Sequence, residues 1–317
     1  MEGSEFMNKI LEKISESTKF VSNNSKYVKI NYEVIDRIIE ENDWDVVKYW
    51  MESNPFGLLD MELRDIINFL LVYHTVGLCC FWGEPKWELE TSDGNKTDGS
   101  FGLVYALINK FQNGMNYDMD FEEFKEMLKG NVDIPLVNER YLCFVKMNEY
   151  FKTINGDFYD QIKDINDDVT LLDYIIEHFD YFEDVSTYNG EKIYFYKKAQ
   201  LFVSDILNVK KLVGNKDVDL SHLVGCADYK IPQVMRCLGM LEYNDELSDL
   251  VDSKTLISSG SLMEVEIRAN DIVVIDYIYK KLNSDVTRIN VNDFIWLLGQ
   301  DKSKMIKPYH RTRTMNY

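Results

Sequence analysis

Residues 194–206 read Tyr194-Phe195-Tyr196-Lys197-Lys198-Ala199-Gln200-Leu201-Phe202-Val203-Ser204-Asp205-Ile206. Within this stretch Ala199, Phe202, Val203 and Ile206 fall at i, i+3, i+4 and i+7, which places apolar side chains on one face of an α-helix. The helix opens on two lysines. A cation there opposes the helix dipole, so the pair makes sense where it meets an anion, a phosphate or a carboxylate; the bland alternative is two solvated lysines. The same periodicity recurs in Ile66, Phe69, Leu70 and Tyr73, in Phe121, Phe124 and Leu128, in Val169, Leu172, Ile176 and Phe179, and in Ile272, Ile275, Tyr279 and Leu282. Asp120 and Glu123 stand where the N-cap and third residue of a capping box belong. Side chains on such stripes are core packing.

Strand signals are few. Tyr188-Asn189-Gly190-Glu191 predicts a hairpin turn, since Asn-Gly accepts the positive φ of a type I′ turn. It leads into a short strand at 192–195, and Val28-Lys29-Ile30 is a second candidate. Residues 91–100 read as a polar, turn-rich loop. That loop separates an aromatic cluster, Phe81-Trp82-Gly83-Glu84-Pro85-Lys86-Trp87, from a helix starting near Phe101. No repeat, linker or domain boundary is apparent. The expectation is a mainly α protein in which residues 7–317 form a single helical domain with a few short β-strands. Residues 1–6, ahead of Met7, look like a cloning scar and are set aside.

Composition narrows the function. The 35 Lys and Arg against 54 Asp and Glu give a net charge of −19, which argues against a duplex-binding surface. Apolar residues at 45% and aromatics at 13% exclude a disordered chain. No apolar run approaches the roughly 20 residues of a membrane helix, and no secretory signal is visible. Cys79, Cys80, Cys143, Cys226 and Cys237 are odd in number, irregularly spaced and without a CxxC, which predicts reduced thiols and a cytoplasmic protein. His74, His178, His222 and His310 are scattered, none at ligand spacing from a cysteine pair, so no metal is expected.

Four segments carry chemistry. Aromatics on the 81–87 loop offer a stacking wall for a flat heterocycle, or pin the loop to the core. Lys197 and Lys198 offer an anion site. Asp228 precedes a helix whose first turn holds Pro232; it reads as an N-terminal cap, or as a carboxylate projecting into a cleft beside Tyr229 and Lys230. In an acidic chain, Lys302, Lys304, Lys307, His310, Arg311 and Arg313 cluster near the C-terminus. Tyr309, Met315 and Tyr317 accompany them, which predicts docking rather than fraying.

Taken together, YFYKKAQLFVSDI (194–206), ADYKIPQV (227–234), MEVEIRA (263–269) and PYHRTRTMNY (308–317) resemble the queuosine salvage family in order and spacing. FWGE (81–84) and GSFGL (99–103) match more loosely, and the part up to about Ser53 matches least. The resemblance implies a helical fold similar to helical DNA glycosylases. It implies hydrolysis of the N-glycosidic bond of queuosine 5′-monophosphate, releasing the 7-deazaguanine base queuine for salvage into tRNA modification. The partners implied are the nucleotide substrate and the queuine product, with no cofactor, no nucleic acid and no membrane.

The residues fit that chemistry. Breaking the bond builds positive charge on the ribose, which a carboxylate beneath the sugar stabilises or attacks. Asp228 matches the family's catalytic aspartate, with Lys197 either beside it or on the phosphate. A 7-deaza base lacks N7, so departure rests on hydrogen bonds to its polar edge and on stacking. Asp293 matches an aspartate assigned to base recognition; its alternative is a capping partner of Asn290, with Gly299 closing the helix. Arg268, His310, Arg311 and Arg313 join Lys197 as phosphate candidates, although Arg268 also stands at i+4 from Glu264. Phe81, Trp82 and Phe101 are the stacking candidates, and Tyr229 lines the sugar pocket. The competing readings are a non-catalytic queuine carrier and a glycosylase acting on a nucleic-acid base.

Overall fold

The computed structural model describes residues 2–44, 49–79, 81–112, 114–282 and 284–317, with side chains from Ile10 onward. Its helices are α1 (Glu2–Asn24), α2 (Tyr32–Glu41), α3 (Leu63–Val76), α4 (Gly99–Gln112), α5 (Phe121–Met127), α6 (Val137–Thr153), α7 (Tyr159–Ile162), α8 (Asp168–His178), α9 (Lys197–Leu212), α10 (Lys230–Leu238), α11 (Asp245–Asp252), α12 (Leu262–Leu282) and α13 (Arg288–Leu298). The strands are β1 (Val28–Ile30), β2 (Glu88–Glu90), β3 (Lys96–Asp98), β4 (Val185–Tyr188), β5 (Glu191–Tyr194) and β6 (Leu241–Tyr243). They pair as antiparallel ribbons, β1 with β6, β2 with β3 and β4 with β5. The fold is mainly α, as the periodicity predicts.

Local signals explain the element ends. The Asp120 carboxylate accepts the Glu123 N–H at 2.9 Å and the Glu123 carboxylate accepts the Asp120 N–H at 3.0 Å, closing the capping box that starts α5. Asn189 and Gly190 adopt φ of 51° and 88°, turning β4 into β5 with Tyr188 opposite Glu191. The 91–100 segment departs from its reading as a loop. Its second half is β3, paired with β2, and α4 already begins at Gly99. These two strands are three residues each and carry charged side chains, so no apolar alternation marked them.

Two apolar cores meet along α12. One gathers α3, α8 and α9 around Phe69, Leu172, Phe202 and Ile206; the other gathers α2, α10 and α13 around Ile35, Val234 and Ile295. The α12 stripe divides between them, with Ile272 in the first core and Ile275 in the second. Each fully buried side chain of this kind contributes about 1.5–3 kcal/mol. A smaller cluster of Leu78, Cys79, Leu136 and Tyr317 seats the C-terminal segment. There the Ile257 N–H donates to the Arg311 carbonyl at 2.8 Å, and Gln233 Nε2 donates to the Lys307 carbonyl at 2.8 Å. No disulfide joins Cys79, Cys143, Cys226 and Cys237 to one another, and Cys80 lies outside the described residues.

Candidate active site

The site is assembled where α9 starts. Tyr196, at φ 50°, turns the chain out of β5, and no side chain of the N-cap residue itself closes the helix. Asp184 does so instead, its Oδ2 accepting the Lys197 backbone N–H at 3.1 Å. Lys197 and Lys198 are 8% and 3% exposed, so they are not a solvated pair. Burial brings the Lys198 ammonium down to about 8, and the cation lies 5.1 Å from the Phe182 ring centre.

Asp228 lies in the loop before α10. Its Oδ1 accepts the N–H groups of Lys230 at 2.7 Å and Ile231 at 3.0 Å, which caps the helix. Its Oδ2 faces Lys197 Nζ at 3.6 Å. Cap and cleft carboxylate are therefore the same side chain. At that separation the ion pair is too long for a hydrogen bond, which leaves Oδ2 lone pairs for another partner.

Lys197 and Asp228 border a cavity of about 360 Å³ that Phe81, Phe101, Tyr229 and Asp293 also line. That volume suits a small heterocyclic ligand. Phe101 meets Trp50 edge to face, with ring centres 6.1 Å apart. Asp293 is not a capping partner: Thr287 caps α13 and Asn290 completes its box, while Gly299 does close the helix. Burial raises the Asp293 carboxyl to about 7, against the opposing hydrogen bond from Asn292 Nδ2 at 3.3 Å. Asn292 Oδ1 in turn accepts the Cys226 N–H at 3.1 Å, tying α13 to the loop that carries Asp228.

The other five sequence candidates do not line this cavity. Trp82 is half-buried with the Arg311 guanidinium 5.3 Å from its ring centre, and Arg311 also faces Glu84 at 3.9 Å. Trp87 is fully buried and donates its indole N–H to the Leu128 carbonyl, so it pins the aromatic loop to the core. Arg313 is exposed and reaches Glu139 at 3.5 Å. His310 is buried against the Tyr317 hydroxyl at 3.1 Å, and burial pushes it down to about 3. A neutral imidazole there brings no charge to a phosphate. Arg268 is fully buried, forked onto Asp184 at 3.0 and 2.6 Å, with Glu264 at 3.6 Å. The C-terminal segment docks as its aromatics predict: Tyr309 and Tyr317 line the cavity, whereas His310, Arg311 and Arg313 do not.

Sequence reasoning missed Asp205. It lies on the cavity wall with its Oδ1 accepting from the Tyr49 hydroxyl at 2.7 Å and Trp50 Nε1 at 3.0 Å, and its Oδ2 2.8 Å from His74 Nε2. Burial lowers the His74 pKa against the pull of Asp205. The available signal was a carboxylate inside the apolar run of α9, on the face that also presents Lys198 and Leu201. Lys230 and Trp296 join the lining as well. Elsewhere His222 meets Asp168 at 2.9 Å and Asp219 at 3.8 Å. Asp168 also accepts the His222 and Leu223 N–H groups, which makes this cluster a clasp between α8 and the loop after α9.

Fold and site together define a helical protein that turns an ion-paired carboxylate toward an aromatic-walled pocket. Residues 59–317 match the family described as queuosine salvage protein, and the chain belongs to that family. A relative from Sphaerobacter thermophilus, named queuosine 5′-phosphate N-glycosylase/hydrolase, is 34% identical over 266 residues, covering 80% of this chain and 81% of its own. Relatives of the same name from Dictyostelium discoideum and Bos taurus are 29% and 26% identical, covering 96% and 95% of this chain and 98% of each of theirs.

Proposed function

We propose that this chain hydrolyses the N-glycosidic bond of queuosine 5′-monophosphate and releases queuine. The observation that carries the reading is the Asp228–Lys197 pair, 3.6 Å apart on the wall of a cavity that also holds Asp293. As the bond lengthens, positive charge develops on the ribose C1′ and ring oxygen. Asp228 Oδ2 supplies the opposing charge. Its Oδ1 is already held by two backbone N–H groups, so the carboxylate need not reorganise when that charge appears. The departing base is met by stacking on Phe81 and Phe101 and by hydrogen bonds to Asp293. Asp293, when ionised, also suits the cationic amine of the queuine side arm. Lys198 and Lys230, both on the cavity wall, offer cations to the phosphate in place of the displaced arginines and His310.

The substrate on this reading is a free mononucleotide. The net charge of −19 disfavours nucleic acid, and no helix among the described residues is long and apolar enough to cross a membrane. The unbridged Cys143, Cys226 and Cys237 fit a reducing cytoplasm. The test incubates the protein with queuosine 5′-monophosphate, queuosine, GMP and AMP and follows products by mass spectrometry. Queuine release confined to the 7-deaza substrates is expected. No release with tight queuine binding by calorimetry would replace the enzyme with a carrier, and a low-salt gel shift would point to a nucleic-acid glycosylase.

A further inference from the structure

We propose that Asp184 is a positioning residue that sets the spacing between Lys197 and Asp228; this rests on reading those two as the reacting pair. Asp184 precedes β4, is 1% exposed and does not line the cavity. Its Oδ2 accepts the backbone N–H of Lys197 at 3.1 Å. The same carboxylate accepts from Arg268 Nη1 at 3.0 Å and Nη2 at 2.6 Å. Arg268 Nε then donates to the carbonyl of Ala227, the residue before Asp228, at 3.0 Å. One buried carboxylate thus ties down the backbone of both members of the pair, one directly and the other through a single guanidinium.

The surroundings leave this link little freedom. The Arg268 guanidinium lies 4.0 Å from the Phe195 ring centre and 4.7 Å from that of Tyr317. The Asp184 carbonyl accepts the Phe195 N–H at 3.0 Å, which fixes the turn through Tyr196, a non-glycine residue in the left-handed region. A buried ion pair is by itself weak evidence for stability, because desolvation offsets most of its attraction. What this pair has beyond stability is direction: Asp184 Oδ2 and Arg268 Nε each also reach the backbone next to a reacting side chain, at Lys197 and at Ala227. Catalysis by an ion-paired carboxylate tolerates little misplacement, and about 1 Å is worth up to roughly 100-fold in rate.

The test compares wild type with Asp184→Asn and Arg268→Lys in the full chain, below the melting temperature of each. Asp184→Asn keeps the shape and one acceptor but loses the charged fork; Arg268→Lys cannot serve Asp184 and Ala227 at once. Each should lower kcat about 10- to 50-fold while KM and the Kd for queuine stay within about two-fold, since no cavity contact changes. A loss confined to melting temperature, or carried by KM, overturns the proposal. A crystal structure of Asp184→Asn reads the spacing without reference to turnover: the Lys197–Asp228 separation should open beyond its 3.6 Å. An unchanged separation overturns the proposal whatever the substrate, whereas a wild-type protein that releases no queuine counts against the function and leaves this structural arm to decide.

Discussion

The molecule carries two clusters of cations whose fates diverge. At the start of α9, Lys197 and Lys198 are folded inward, and one meets a carboxylate at the cavity wall. Along 310–313, His310 is buried neutral, Arg311 faces Trp82 and Glu84, and Arg313 reaches Glu139 at the surface. Cationic residue types alone do not mark an anion site. What separates the clusters is whether the backbone aims them at a cavity, and at α9 a helix start does so.

The sharpest way to break the comparison is to remove the anion that the α9 lysine meets. Asp228→Asn keeps an acceptor for the Lys230 and Ile231 N–H groups, so the loop should hold. Queuine release should fall by about 10³-fold with product binding by calorimetry retained. Turnover within ten-fold of wild type would remove Asp228 from the chemistry. Next in size, Lys197→Gln should lower kcat by about 10²-fold, against less than about two-fold for Arg313→Gln in the same steady-state assay. Equal effects would erase the distinction between the clusters.

The smallest effect concerns Asp293 and pH. Its carboxyl titrates near 7 in the fold, so below that it is neutral and no longer matches a cationic amine. KM should therefore rise as pH falls from about 8 to 6, and Asp293→Asn should flatten that profile. The stability sign is the reverse. A carboxyl raised above its ordinary value binds more protons folded than unfolded, so stability declines as pH rises from about 4 to 7. Melting temperatures of Asp293→Asn across that range should lack this decline.

Much of this is legible in the sequence alone. The stripes on α3, α5, α8 and α9, the Asp120–Glu123 box and the Asn189-Gly190 turn depend on neighbours within a few residues. The motif around Asp228 was legible too, because a helix start with Pro232 in its first turn is a local event. The β2–β3 ribbon was not, since short polar strands have no periodicity to read. Local spacing pairs Arg268 with Glu264, four residues away, and carries no sign of its stronger partner, Asp184.

Sequence by itself therefore determined the striped helices α3, α5, α8, α9 and α12, the principal hairpin and the family to which Asp228 and Lys197 point. Tertiary structure alone decided which charges face one another. Arg268 reaches Asp184 across 84 residues, and His74 reaches Asp205 across 131. The reason is physical. Helical periodicity is set by backbone geometry over one or two turns, whereas burial, ion pairing and a shifted pKa are properties of the packed neighbourhood, which forms when segments far apart in the chain are brought together.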